Sequence, residues 1–497
     1  MSRVIFNQIP SEVPSVILAA PRIARHFRAP PRLVIPFSPK LAPPHERLAL
    51  LSRHFSSQPP TQLTASPDRN WKSASRNTPQ IVTDQRRTLG AQTSPLQKQI
   101  EMAEPAPNGA ATASQQPPHP AILIPGPVEF SDEVLQSMSH YSESHVGQPF
   151  VNVFGDVLAQ LRKLFQTTNP KSQPIVISGS GTLGWDQVAA NVTEPGDEAL
   201  VLHTGYFADS FADCFETYGV KATQLKAPIG DRPQLDAVEK ALKEKKYKVI
   251  TITHTDTSTG VLSEIEAVAK LVRKVSPDTL IIIDGVCSVG CEEIRFDDWD
   301  LDVVLSASQK AIGCPAGLSI LMVSGRAIEA FEKRTHPPGS YFASWKNWLP
   351  ILRNYEAKKP SYFATPSPQL IHALHTSLNQ ILSIPLQDRF KRHKEVSQHV
   401  KKTVESWGLK QLATKPENQA SGMTAIWLPD GLKPTDVLPH VLKKGVVFAG
   451  GLHKECATKY VRFGHMGVSV MDGKKDDIER ALDALKEGLQ AAGWKQQ

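Results

Sequence analysis

The sequence has few cysteines, and their spacing does not form a recognisable site. Five occur among 497 residues, an odd number in a long chain, so no disulfide framework is indicated. Cys287 and Cys291 form a C-x3-C pair, but no second Cys or His pair stands at zinc-like spacing. We therefore expect packed, reduced thiols in a reducing compartment and no bound metal.

Long apolar runs are also missing, and most of the chain lacks a charge excess. No stretch approaches the ~20 uninterrupted apolar residues that a membrane helix needs. Residues 116–497 hold 42 basic and 43 acidic side chains, whereas residues 1–115 hold 14 and 6. The formal net charge of +7 thus comes from the first segment. A nearly neutral body is not typical of a protein that binds a nucleic-acid backbone, so we expect neither a nucleic-acid nor a membrane partner.

Residues 1–115 differ in composition from the rest of the chain. They are rich in Pro, Ser, Gln and Arg without a sustained helical or strand period, which predicts a disordered basic extension. The first 60 residues carry eight basic and only two acidic side chains, a pattern that resembles a mitochondrial transit peptide. We therefore expect the protein to be located in the mitochondrial matrix. A cytoplasmic or peroxisomal location is the alternative, especially if translation starts at Met102.

From residue 116 onward, short apolar runs alternate with amphipathic segments. This alternation predicts an α/β fold with a mainly parallel sheet flanked by helices. We expect a large domain over residues 116–375 and a smaller carboxy-terminal α+β domain over residues 376–497. The predicted strands are 175–177, 199–202, 248–253, 279–283, 302–306 and 317–323, and the clearest helices are 153–166, 261–275 and 475–491.

Three short segments follow predicted strands, where open α/β sheets place their ligands. The first is Ser178-Gly-Ser-Gly-Thr182, before a predicted helix. Small residues let backbone N–H groups converge, the helix amino terminus adds positive potential, and Ser180 and Thr182 add hydroxyl donors. The segment therefore suits a phosphate group, although Gly-Ser turns after strands are common.

The second and third segments carry a carboxylate and an amine. Asp284 ends a wholly apolar strand and needs a cationic partner, which a protonated pyridine nitrogen would supply, or else it caps a turn. Lys310 follows an apolar strand and stands among small residues, which favours a pocket where desolvation makes the amine nucleophilic. A phosphate, a ring nitrogen and an aldehyde on one cofactor would need these three segments together.

The sequence resembles the class V aminotransferases of fold type I, and within them the alanine–glyoxylate (serine–pyruvate) aminotransferase family. The resemblance covers residues 120–490. It implies a pyridoxal 5'-phosphate (PLP) enzyme that moves an amino group between small amino acids and 2-oxo acids. The matching pieces are Pro125-Gly-Pro127, Ser178-Gly-Ser-Gly181, Thr253-His-Thr-Asp-Thr-Ser-Thr-Gly260, Asp284-Gly-Val286, Ser306-Ala-Ser-Gln-Lys310 and Arg462-Phe-Gly-His-Met-Gly467.

The family implies a role for each matching residue around the cofactor. Lys310 would form the Schiff base and move the proton, while Asp284 would pair with the ring nitrogen. The other expected cofactor contacts are Val286 on a ring face, Thr257 on the ring hydroxyl side, and Ser180, Gly181, Thr182 and Gln309 around the phosphate.

Four further residues carry implied roles outside this set. Tyr362 and Thr365 would reach the phosphate of the neighbouring subunit, which implies a homodimer with shared active sites. Arg462 would grip the substrate carboxylate, for which its planar fork is suited. Gly126 would lie close to the substrate, where a side chain would block a small acid.

The sequence also departs from the family pattern. The family often has His at the Thr182 position, Ser at the Gly285 position and Trp at the Phe207 position, where the Trp stacks on the cofactor ring. Phe207 can still stack with less area, and Tyr206 competes for that place. The favoured activity is alanine–glyoxylate transamination. The alternatives are serine–pyruvate or serine–glyoxylate transamination, a cysteine desulfurase using Cys456 or a kynureninase-like lyase, and a non-catalytic protein of the same fold.

Overall fold

The computed structural model describes residues 116–473 and 475–496, so the expectations for residues 1–115 lie outside it. The described residues contain one large sheet, a three-stranded sheet and two short two-stranded pairings. The strands are β1 (Ala121–Ile122), β2 (Gln173–Ser178), β3 (Glu198–His203), β4 (Lys221–Lys226), β5 (Val249–Thr253), β6 (Thr255–Asp256), β7 (Val261–Leu262), β8 (Leu280–Asp284), β9 (Val303–Ala307), β10 (Leu318–Val323), β11 (Met423–Trp427), β12 (Val446–Val447), β13 (Ala449–Gly450) and β14 (Tyr460–Gly464).

The large sheet has seven strands in the order β2-β10-β9-β8-β5-β3-β4. Strand β10 runs antiparallel to both of its neighbours, and the remaining pairs are parallel. This confirms the predicted α/β class with a mainly parallel sheet. Strands β5, β8, β9 and β10 are buried along their whole length, which explains their continuous apolar sequences.

The six predicted strands of this sheet are confirmed, each within two residues at either end. Edge strand β4 was not predicted, because its sequence Lys-Ala-Thr-Gln-Leu-Lys contains no apolar run. All six of its side chains are at least partly exposed. Strands β9 and β10 form a hairpin whose connecting loop carries Lys310. The carboxyl ends of β2, β5, β8 and β9 lie along one edge of the sheet.

Helices cover the faces of the large sheet. Helix α3 contacts β9 and β10, α4 contacts β3 and β4, and α6 contacts β8. The helices are α1 (Asp132–Ser137), α2 (Gln148–Leu164), α3 (Gly181–Val192), α4 (Tyr206–Thr217), α5 (Leu235–Glu244), α6 (Ile265–Val275), α7 (Gly325–Glu332), α8 (Trp345–Glu356), α9 (Pro368–Leu382), α10 (Leu386–Ser406), α11 (Pro434–Lys443), α12 (Val468–Met471) and α13 (Asp477–Ala491).

The described residues contain two main apolar cores. The larger surrounds the seven-stranded sheet, and the smaller joins α10, α11 and α13 to the antiparallel sheet β11-β14-β13. The expected boundary between residues 375 and 376 falls inside α9, whose buried residues up to Ile381 belong to the larger core. Strand β1 pairs with β12, and Ala121 and Leu123 lie in the smaller core. The change of core therefore follows α9, and the chain also contributes to the smaller core before it enters the larger one.

Within residues 116–473 and 475–496, no helix combines the length and the apolar character needed to cross a bilayer.

Candidate active site

A cavity of about 140 Å³ lies at the carboxyl edge of the large sheet. It contains nine of the residues that the sequence predicts for cofactor binding, which come from five separate stretches of chain. Its lining consists of Ser180, Gly181, Thr182, Trp185, Phe207, Thr253, Thr255, Thr257, Asp284, Val286, Cys287, Gln309 and Lys310.

Lys310 is buried in this cavity, with 8% of its surface exposed. Its Nζ donates a hydrogen bond to the carbonyl oxygen of Pro125. Burial lowers the pKa of the Lys310 amine, helped by the nearby Arg462 charge and opposed by Cys287 and Asp284. A lowered pKa increases the neutral fraction of the amine, and the neutral amine is the form that attacks an aldehyde.

Gly126 leaves the space that the Lys310 side chain occupies. Its φ of +98° is in the region that favours glycine, and an added Cβ would lie 2.6 Å from Cε of Lys310. The structure thus places Gly126 directly against the reactive lysine. Any side chain at this position would displace the amine.

Asp284 is the last residue of β8 and is 4% exposed. Its Oδ1 accepts a hydrogen bond from the Val286 N–H at 3.1 Å, and its Oδ2 accepts one from the Trp185 indole N–H at 2.8 Å. Burial raises the pKa of the carboxyl to about 6, although these two donors act in the opposite direction. A cationic ring nitrogen beside it would favour the ionised form.

The predicted phosphate segment forms the turn from β2 into α3. Ser180 is the N-cap, so Gly181, Thr182 and the next residues present the amino terminus of a 12-residue helix to the cavity. An added Cβ on Gly181 would lie 2.8 Å from the Val286 side chain, so only glycine lets the turn pack this closely. Gln309 borders the same cavity, and its buried Oε1 has no hydrogen-bond partner among the described residues. An amide that can turn its N–H₂ inward suits a phosphate.

Phe207, and not Tyr206, lines the cavity. The Phe207 ring meets the Trp185 ring edge-on, with centroids 6.4 Å apart, and meets the Tyr206 ring in the same way at 5.3 Å. Phe207 therefore occupies the place where a ring could stack on a flat cofactor.

Arg462 lies on β14 and does not line the cavity, but it contacts Thr257, which does. Its Nε donates to the Gly450 carbonyl at 2.7 Å and its Nη1 to the Thr257 carbonyl at 3.3 Å. Burial lowers the pKa of its guanidinium. No carboxylate of the described residues forms an ion pair with it, so this partly buried cation retains capacity for an anion.

Tyr362 and Thr365 lie outside the cavity of their own chain. Tyr362 is 62% exposed and its ring centroid lies 5.0 Å from that of His145. Thr365 is also exposed. Their contribution to a neighbouring subunit remains a prediction.

Sequence reasoning missed four lining residues, Trp185, Thr253, Thr255 and Cys287. Trp185 could have been predicted, because it lies four residues after Gly181 on a helix and therefore on the same helix face. Thr253 ends β5, Thr255 lies just after it and Cys287 lies just after β8, where neighbouring strand ends meet, but nothing in their residue types singles them out.

The thiol proposed for a desulfurase does not lie in this site. Cys456 is 5% exposed, is absent from the cavity lining, and burial raises the pKa of its thiol. A reactive cysteine needs an accessible thiolate, so these surroundings disfavour that chemistry.

Comparison with known protein families agrees with this geometry. The family model described as aminotransferase class V matches residues 124–471. The chain is a class V aminotransferase. Membership confirms the predicted resemblance and the prediction of a transaminase, and it implies PLP as the cofactor.

Individual relatives of this aminotransferase act on glyoxylate. Alanine–glyoxylate aminotransferase 1 of Saccharomyces cerevisiae is 41% identical over 379 residues, which are 74% of this chain and 97% of the yeast protein. The serine–glyoxylate aminotransferase of Arabidopsis thaliana is 28% identical over 70% of this chain and 85% of its own. The solved alanine–glyoxylate aminotransferase of Nostoc superposes with a TM-score of 0.69 at 28% identity, covering 76% of this chain and 98% of that one.

A solved cysteine desulfurase from Thermococcus onnurineus shares the fold of the aminotransferase, with a TM-score of 0.57 at 15% identity, 73% coverage of this chain and 92% of that chain. At this identity the likeness concerns architecture only.

The Asp284 carboxylate should make the stability of the cofactor-free aminotransferase depend on pH. Its folded pKa of about 6 lies above the unfolded value of about 3.9, so ionisation favours the unfolded state as pH rises from 4 through 6. Between pH 4 and pH 7.5 the free energy of unfolding of the wild type should therefore fall, relative to that of Asp284→Asn, by on the order of 2 kcal/mol. Urea unfolding of both cofactor-free proteins at the two pH values measures this difference, and a constant difference would contradict the buried-carboxylate account.

Proposed function

We propose that this aminotransferase transfers an amino group from alanine to glyoxylate, with PLP held at Lys310. The proposal rests on the buried amine and the buried carboxylate that face one cavity, Lys310 and Asp284. The 41% identity to a yeast alanine–glyoxylate aminotransferase favours this substrate pair. Transfer to glyoxylate yields glycine, so the reaction would both produce glycine and remove glyoxylate.

The residues around the cavity fit the cofactor. The α3 amino terminus with Ser180, together with the side-chain amide of Gln309, whose oxygen has no partner among the described residues, suits the phosphate. Asp284 suits the ring nitrogen. The apolar side chains of Val286 and Phe207 suit the two faces of the ring, and the Thr257 hydroxyl suits its polar edge.

When bound, PLP supplies an electron sink that makes the α-proton of an amino acid acidic. The protein supplies the base: Lys310, once free, removes the α-proton of the amino donor and later returns a proton to the α-carbon derived from the acceptor. Burial lowers the pKa of this amine, which favours its neutral form, and the Pro125 carbonyl and the space at Gly126 hold it in place. Arg462 would bind the carboxylate that donor and acceptor share, which keeps the reacting carbon beside Lys310.

Serine is the main competing donor. Serine–glyoxylate aminotransferases occur among the relatives at 27–28% identity, and an aspartate–glyoxylate aminotransferase of Paracoccus denitrificans is 31% identical. Serine–pyruvate transamination would use the same residues. Discrimination among these donors depends on small differences in pocket shape and hydrogen bonding.

We propose a homodimer in which Tyr362 and Thr365 reach the phosphate of the neighbouring subunit. The exposure of both residues supports this, because neither serves the cavity of its own chain. Further large apolar side chains, Tyr341 and Phe342, are exposed in the preceding segment. A second subunit would remove these surfaces from water.

We also propose the mitochondrial matrix as the location, on the basic, acid-poor composition of the first 60 residues. Amino-terminal sequencing of the protein isolated from mitochondria should find this segment shortened. Recovery of the intact segment in a cytosolic fraction would contradict the proposal.

The Lys310→Ala variant should lose turnover and the visible absorbance of lysine-bound PLP, because no other amine of the cavity lining can react with the aldehyde. Spectra recorded before and after gel filtration with PLP measure the absorbance. Lys270→Ala, which removes an exposed lysine on α6, is the matched control and should keep both properties. Retention of both by Lys310→Ala would refute the assignment.

Donor choice can be measured in single half-reactions. The PLP-loaded protein is mixed with alanine, serine, glutamate, aspartate or cysteine, and the loss of visible absorbance is followed. Alanine should react fastest, and glyoxylate should restore the absorbance and release glycine. Faster reaction with serine would select the serine alternative, and sulfide release from cysteine would overturn the aminotransferase proposal in favour of desulfuration.

A further inference from the structure

Trp185 makes a buried hydrogen bond to the carboxylate of the candidate site. It lies on α3, one turn after the phosphate segment, and is 6% exposed. Its indole N–H donates to Oδ2 of Asp284 at 2.8 Å, and its ring also lines the cavity. The bond connects the helix that faces the phosphate with the strand end that faces the ring nitrogen.

The carboxylate is therefore held at both oxygens. The backbone N–H of Val286 occupies Oδ1, and Trp185 occupies Oδ2. A carboxylate has about four acceptor positions, so each oxygen retains capacity for a further donor. Rotation of the Asp284 side chain would break both bonds, so the orientation of the group is fixed before a ligand binds.

Aromatic packing fixes the indole itself. The Trp185 ring stacks on Phe211 of α4, with centroids 5.4 Å apart and planes 17° apart, and Phe211 stacks in turn on Phe215 at 4.9 Å and 5°. Phe207 contacts the Trp185 ring edge-on. One indole thus contacts both the carboxylate and the aromatic residue of the cavity.

We propose that Trp185 is a positioning residue that acts through Asp284, holding its carboxylate ionised and oriented toward the ring nitrogen of PLP. This inference rests on the proposed function, because it requires PLP in this cavity. Trp185 contributes a donor that stabilises the charged form of a group whose burial favours the neutral form. Without the indole N–H, more of the carboxyl would be protonated and unable to pair with a protonated ring nitrogen.

The test compares two cofactors that differ at one ring atom. PLP and its analogue with CH in place of the ring nitrogen are titrated against cofactor-free wild-type protein and Trp185→Phe, and dissociation constants are measured by absorbance or fluorescence. Phenylalanine keeps an aromatic ring against Phe211 and removes only the donor and part of the area. We expect PLP to bind Trp185→Phe about tenfold more weakly, as the loss of a hydrogen bond to a charged group predicts, and the analogue to bind both proteins equally.

Trp345→Phe is the matched control. Its indole N–H also donates within the buried interior, to Gln187 at 3.4 Å, but Trp345 does not line the cavity. It should bind both cofactors like the wild type. Trp185→Leu serves as a second variant should Trp185→Phe fold poorly, since leucine has no hydrogen-bond donor and should show the same selective loss.

Each outcome separates the inference from the proposed function. Unchanged PLP affinity in Trp185→Phe, or an equal loss for PLP and the analogue, would overturn the positioning role while the proposed function stands. In the Asp284→Asn background, Trp185→Phe should cause no further loss of PLP affinity, and a full tenfold loss there would also overturn it. Failure of the wild-type protein to bind PLP would overturn the proposed function and the inference with it.

Discussion

The chemistry of this chain depends on keeping an amine and a carboxylate in one buried cavity without neutralising either by a direct ion pair. Burial acts on the two groups in opposite directions, since it lowers the pKa of Lys310 and raises that of Asp284. Their hydrogen bonds go to other groups, the Pro125 carbonyl for the amine and the Val286 and Trp185 N–H groups for the carboxylate. The free energy that this arrangement costs is offset by the continuous apolar strands beneath it.

The sheet makes this arrangement possible, because parallel strands end at the same edge. Asp284 ends β8, Lys310 lies just beyond β9, and the phosphate turn follows β2. Three polar groups far apart in sequence therefore meet above an apolar interior. The hydrogen bond from Trp185 to Asp284 then connects α3, which follows β2, to the end of β8. The two segments therefore hold each other in place, which fixes the shape of the cavity.

The sequence allowed the central strands and most of the cavity to be predicted, because apolar runs followed by Asp, Lys or Gly-Ser turns have a direct physical meaning. Edge strand β4 was missed since its polar, exposed residues carry no apolar signal. The domain boundary was placed inside α9 because helical periodicity does not tell which core a helix faces. The partners of Arg462 and the bond from Trp185 to Asp284 depend on how β14 and α3 pack, and pairwise contacts of this kind cannot be derived from spacing within one chain.

The β9–β10 hairpin has a consequence for how the reactive lysine reaches its position. In a parallel sheet each strand normally returns through a crossover helix, but here the chain turns back within ten residues, and Ser308 closes the loop by donating to the Pro315 carbonyl and accepting from the Leu318 N–H. These contacts join residues that are close in sequence, so closing the loop costs little chain entropy. Closing the Lys310 turn therefore costs less chain entropy than bringing to it the distant segments that complete the cavity.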